Sequence, residues 1–142
     1  MITLNTISRL PVLSNALFAF VLLIFSNALC AQEGHPLNGT WSGNRIVNGQ
    51  TTRVLIIFNL QPDQVIEGTL LENGNRIPLQ DVTLNPLDWT VSMKASGTDK
   101  AGNNFSYEIA GALDNLGSAT NRTLDGKWIE GETTGTFRIF MN

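Results

Sequence analysis

The stretch "WTVSMKAS" (Trp89 to Ser96) decides the fold class. Trp89, Val91, Met93 and Ala95 alternate with Thr90, Ser92, Lys94 and Ser96. A period of two puts one set on an apolar face and the other on a polar face, which is what a strand with one buried side requires. "FSYEIAGAL" (Phe105 to Leu113) repeats the pattern, with Phe105, Tyr107, Ile109 and Gly111 set against Ser106 and Glu108. Strands that are wet on one face belong to antiparallel sheets, because parallel strands are covered on both faces.

Working outward from these two, six further segments read as short strands: "LNGTWSG", "TRVLIIFNL", "VIEGTLLE", "RIPLQDVTL", "LDGKWIE" and "TGTFRIF". No stretch after Glu33 carries an apolar stripe at helical spacing. Between the strands lie Asn48-Gly49, "ENGN" (Glu72 to Asn75), Asn85-Pro86, "SGTDKAGN" (Ser96 to Asn103) and "DNLGSATN" (Asp114 to Asn121). These residues tolerate positive φ or preset a turn, and the gaps are short, so sequential strands are expected to pair as hairpins. Pro78 lacks a donor and predicts a weakly paired start to its strand.

Gly39, Gly68, Gly111 and Gly126 each have apolar residues two positions before and after. Period two then places these glycines on the inner face, where a missing side chain lets a strand bend sharply. The expected fold is all-β: a single antiparallel up-and-down barrel of about eight strands, whose closure removes the sheet edges.

The first residues read differently. Arg9 is the only charge before Glu33, and "ALFAFVLLIFSNALCA" (Ala16 to Ala31) follows it. A positive start, an apolar core and a small-residue exit are the pattern of an export signal. The uninterrupted run Ala16 to Phe25 falls short of the roughly 20 residues of a spanning helix. We therefore expect residues 1–31 to be a cleaved signal and residues 32–142 to be the barrel, periplasmic or secreted, with no transmembrane span after processing. The alternative is a lipoprotein anchored at Cys30, the only cysteine, for which "NALC" (Asn27 to Cys30) is an imperfect lipobox.

The chain carries 12 acidic and 9 basic side chains, net -3. Without Arg9 the balance moves to -4, and no basic run remains, so nucleic-acid binding is not expected. His35 is the only histidine and stands before the first strand. One terminal imidazole cannot supply a nucleophile, base and orienting group, nor a zinc ligand set. Glu130 and Glu132 read as a solvated turn. No catalytic residue, metal or cofactor is expected, and the protein reads as a binder rather than an enzyme.

Gly39-Thr40-Trp41 on the first strand, with Arg138 in "GTFRIF" on the last, resembles the structural signature of calycins, the superfamily of lipocalins, fatty-acid-binding proteins and avidins. The phrases also resemble those of small exported bacterial barrel proteins. The resemblance implies that the first-strand Trp packs at one end of the barrel with a basic side chain from the last strand across it, so Gly39, Trp41 and Arg138 would close that end. "WTVSMK" resembles an avidin strand, but Ser42-Gly43-Asn44-Arg45 does not match the polar residues with which avidins hold biotin.

Two function readings follow. In the first, Trp89, Met93, Phe105, Tyr107 and Trp128 line a cavity for a small apolar or amphipathic ligand. In the second, "VLIIF" (Val54 to Phe58) is apolar on both faces, so Leu55 and Ile57 point outward as a patch for a protein partner or another subunit.

Overall fold

The computed structural model describes residues 34–118 and 121–142. The expected signal, its cleavage after Ala31 and the alternative attachment at Cys30 lie outside the described residues. Eight strands follow in order: β1 (Gly39–Val47), β2 (Gln50–Leu60), β3 (Ile66–Glu72), β4 (Asn75–Asn85), β5 (Thr90–Thr98), β6 (Asn104–Asp114), β7 (Thr123–Glu130) and β8 (Thr133–Met141). Each pairs antiparallel with the next, and β8 returns to β1, closing the barrel. Among the described residues no helix is long and apolar enough to cross a membrane.

The turns explain why neighbours pair. Asn48-Gly49 has φ of 53° and 72°, and Asn73-Gly74 has 50° and 79°. Two positive values across a two-residue loop are the type I′ pattern, whose twist matches that of the strands it joins. At Gly131-Glu132 only Gly131 is positive, at 59°, as in a type II′ turn. Between β5 and β6 the Asp99 carboxylate accepts the backbone N–H groups of Ala101 and Asn103, both at 2.8 Å. These four turns share one end of the barrel, called here the Arg45 end. The segment before β1 and the other three connections share the opposite, N-terminal end.

β4 is the irregular strand that Pro78 predicted. Its pairing with β3 runs from Asn75 to Pro78, and its pairing with β5 begins only at Leu79 opposite Ala95. The strand thus changes partner at the residue that has no N–H to give. A bulge follows between Gln80 and Thr83, where Asp81 takes φ 52°, adding twist where the barrel has to turn.

Inside, Trp41, Trp128, Phe58, Ile56, Leu70 and Leu124 are fully buried. The inner glycines are needed sterically. A Cβ on Gly126 would strike the Ala110 carbonyl oxygen and the Gly111 Cα, backbone atoms that cannot step aside. Gly43 and Gly135 meet the same obstacle against the carbonyls of Arg138 and Ile46.

Two expectations are corrected. Trp89 does not open the inner row of β5. It belongs to the turn before that strand, with φ 57° and 37% of its surface exposed. The ladder starts at Thr90, whose N–H and hydroxyl both bond Asp88 Oδ1, and the left-handed backbone at Trp89 breaks the alternation ahead of it. Arg138 does not lie across Trp41 either. Phe137 and Ile139 are buried, so period two turns Arg138 outward, where its side chain is 63% exposed and faces Asp125 at 3.5 Å. The basic side chain at the Trp41 end is Arg122, just before β7. It is buried and donates to the carbonyls of Pro36 and Leu116, both at 3.3 Å. Trp41 donates its indole N–H to the neighbouring carbonyl of Leu37 at 2.8 Å.

Candidate functional site

The most chemically loaded place among the described residues is the inner side of the Arg45 end. Arg45 follows Trp41 and Gly43 in the inward phase of β1, Glu72 follows Gly68 and Leu70 on β3, and Glu130 follows Gly126 and Trp128 on β7. Period two therefore carries three charged side chains into the barrel, and closure brings them together. Arg45 Nε donates to Glu72 Oε1 and Nη1 to Glu130 Oε2, each at 2.6 Å. Arg45 and Glu72 are buried, whereas the Glu130 side chain is 38% exposed. Tyr107 on β6 gives its hydroxyl to the second oxygen of Glu72 at 3.1 Å.

Aromatic rings form the floor beneath these charges. Phe105 stacks on Tyr107 at 5.0 Å, Tyr107 leans on Trp128 at 5.2 Å, and Trp128 meets the edge of Phe137 at 6.0 Å. The Arg45 guanidinium carbon lies 5.1 Å from the ring centres of both Tyr107 and Trp128, within the range of a cation–π contact. Gly97 leaves room for Phe105, whose ring end lies 2.8 Å from where a Cβ would stand. Above the cluster a polar cleft of about 230 Å³ opens at the mouth, lined by Arg45, Gln50, Thr52, Glu130 and Thr133 among others.

The electrostatics favour the protonated forms of Arg45 and Tyr107. Burial works against the Arg45 charge, but the hydrogen bonds and charges of Glu130 and Glu72 outweigh it and hold the pKa above the usual arginine value. Burial, then the negative charges of Glu72 and Glu130, pushes the Tyr107 phenol above its usual range. Tyr107 is thus a neutral donor to Glu72 near neutral pH. Two buried polar atoms have no hydrogen-bond partner among the described residues: Trp128 Nε1 here, and Arg122 Nε at the opposite end.

Of the residues expected to line a cavity, Phe105, Tyr107 and Trp128 come together here. Met93 is buried beside Ile109 on the neighbouring strand, and Trp89 lies at the other end of the barrel. Leu55 and Ile57 do face outward on β2, each partly covered. Through Ser42, the row containing Leu55 runs from Phe140 on β8 to Leu71 on β3. His35 accepts the Leu37 N–H on Nδ1 at 3.3 Å, and burial lowers its pKa. Sequence reading missed Arg45, Glu72 and Arg122. The signal for the first two was present, since each charge falls in phase with the apolar residues of its strand.

No family model matches the chain. Among curated proteins, the Delta(14)-sterol reductase ERG24A of Gibberella zeae is 32% identical over 84 residues, covering 56% of this chain and 17% of that protein. The chain therefore spans less than a fifth of the length of this relative. Among solved structures, a redesigned β-barrel superposes with a TM-score of 0.53 at 17% identity, over 75% of this chain and 91% of that one. At such identity the likeness shows a shared fold alone: this chain is a closed antiparallel barrel of eight strands.

Proposed function

We propose that this is an exported, non-catalytic barrel of calycin type that binds a small amphipathic molecule at its Arg45 end. The observation that carries the reading is Trp128 Nε1, a buried donor without an acceptor among the described residues, in an aromatic stack that runs up to the mouth. An unsatisfied buried donor costs about 1–3 kcal/mol, and a ligand acceptor reaching the stack would recover that. The polar part of the ligand would meet Arg45 and Glu130, and its flat apolar part Phe105. A cleft of 230 Å³ is below the roughly 300–1,000 Å³ of pockets for drug-sized ligands, so the occupant is compact. The sterol in the relative's name is not carried over, because it exceeds this cleft and the match covers 17% of that enzyme. The calycin reading rests on Gly39-Thr40-Trp41 alone, because Arg138, the last-strand basic side chain that the resemblance implies, faces outward.

Native mass spectrometry of protein purified from its own host tests the proposal. The expected result is a released compound in near-stoichiometric amount, lost in Phe105→Ser. An empty chain refutes it.

A second reading has its own support in the outward row of Leu55, Leu71 and Phe140, the last 48% exposed. There the barrel docks a protein partner. Leu55→Lys with Ile57→Lys would abolish capture of that partner while leaving the fold intact, and capture that survives the double change removes this reading.

A further inference from the structure

We propose that the N-terminal end of the barrel rests on a lipid surface with neutral headgroups. This stands apart from the ligand reading, which concerns the opposite end. The connection between β4 and β5 carries Leu87 with 92% of its surface exposed, followed by the half-exposed Trp89. The connection between β2 and β3 adds Val65, 53% exposed, at the same end. Val65 shares a cleft with Val82 of β4, the strand that leads into the Leu87 connection.

Trp89 is held out at a cost. A large aromatic residue at φ 57° is in the left-handed region that L side chains avoid. Leu113 N–H bonds its carbonyl at 2.9 Å, and Asp88 clamps Thr90 beside it. Backbone strain that the surroundings maintain points to a use for the strained residue. A tryptophan flanked by an aliphatic tip is the side chain that settles at the boundary between headgroups and acyl chains.

Charge selects the headgroup. Asp63, Asp88 and Asp114 are exposed at or beside these connections, while Arg122 is buried. An acidic rim repels anionic lipid and suits the ammonium of choline or ethanolamine.

The test uses the chain as its host produces it, mixed with phosphatidylcholine vesicles whose acyl chains carry bromine. Trp41 and Trp128 are fully buried, so quenching by bromine reports Trp89. Quenching is expected, with a vesicle affinity that falls about tenfold or more in Leu87→Asp. Ile46→Ser, which changes an exposed apolar side chain toward the Arg45 end, is expected to change nothing. Trp89→Gly, which relieves the left-handed backbone, is expected to raise Tm and weaken vesicle binding. Unquenched tryptophan in vesicle-bound protein, quenching unaffected by Leu87→Asp, or tighter binding to phosphatidylglycerol than to phosphatidylcholine at low salt would each overturn the proposal.

Discussion

Replacing Glu72 by Ala tests whether the charges inside the Arg45 end act as one buried unit. The substitution removes the Nε partner of Arg45 at 2.6 Å and the acceptor of the Tyr107 hydroxyl at 3.1 Å. Breaking a buried ion pair from one side costs about 3–5 kcal/mol, because the remaining charge stays desolvated. Arg45 keeps Glu130, which brings the loss toward the lower limit, about 3 kcal/mol. For a domain of this size that is a fall in Tm of about 10–15 °C. Glu130→Ala should cost about 1 kcal/mol, since that carboxylate is 38% exposed and water already screens it. Arg45→Met, Glu72→Leu and Tyr107→Phe made together should stay within about 1 kcal/mol of the parent, as apolar side chains replace the buried members and Glu130 keeps its access to water. Urea unfolding of the four proteins at pH 7 measures all of these. Equal losses for Glu72→Ala and Glu130→Ala, or a loss under 1 kcal/mol for Glu72→Ala, would show that burial does not set the strength of this pair.

Tyr107 is the only tyrosine in the chain, so tyrosinate absorbance follows it alone. Its pKa is raised in the fold, first by burial and then by Glu72 and Glu130. A group whose folded pKa lies above the unfolded value adds stability that is complete below about pH 10 and is lost as pH rises further. Absorbance and unfolding should thus appear together in alkali, and Tyr107→Phe should move the alkaline transition upward. Titration of tyrosine in a still-folded barrel would contradict this. Gly126→Ala should cost about 3 kcal/mol or more, because the methyl meets backbone of β6; a soluble variant with unchanged Tm would sink the steric argument. Arg122→Met should cost about 1–3 kcal/mol through the carbonyls of Pro36 and Leu116. Arg138→Met should stay within about 0.5 kcal/mol, and the reverse order in thermal melts would restore Arg138 as the closing residue.

Much of the barrel was legible because strand periodicity is local. "WTVSMKAS" and "FSYEIAGAL" show which side chains share a face, and Asn48-Gly49 and "ENGN" show where the chain doubles back. Pro78 marked the place where β4 changes partner, since a missing N–H weakens any ladder it enters. The alternation failed at Trp89, where a left-handed turn residue reverses the phase, and sequence does not announce such a φ for tryptophan. At Arg138 the alternation held, since the parity of "TFRIF" turns it outward, and it was the calycin resemblance that misplaced it.

The candidate site was only half legible. Parity alone puts Arg45, Glu72 and Glu130 on the inner face, but β1, β3 and β7 are far apart in sequence and no local rule pairs them. Sequence determined that this chain forms short antiparallel strands joined by tight turns, because alternation and turn chemistry act within a few residues. Only the tertiary structure decided that one guanidinium bridges two carboxylates above an aromatic stack. That arrangement depends on barrel closure and on desolvation, which are properties of the whole fold and of no single strand.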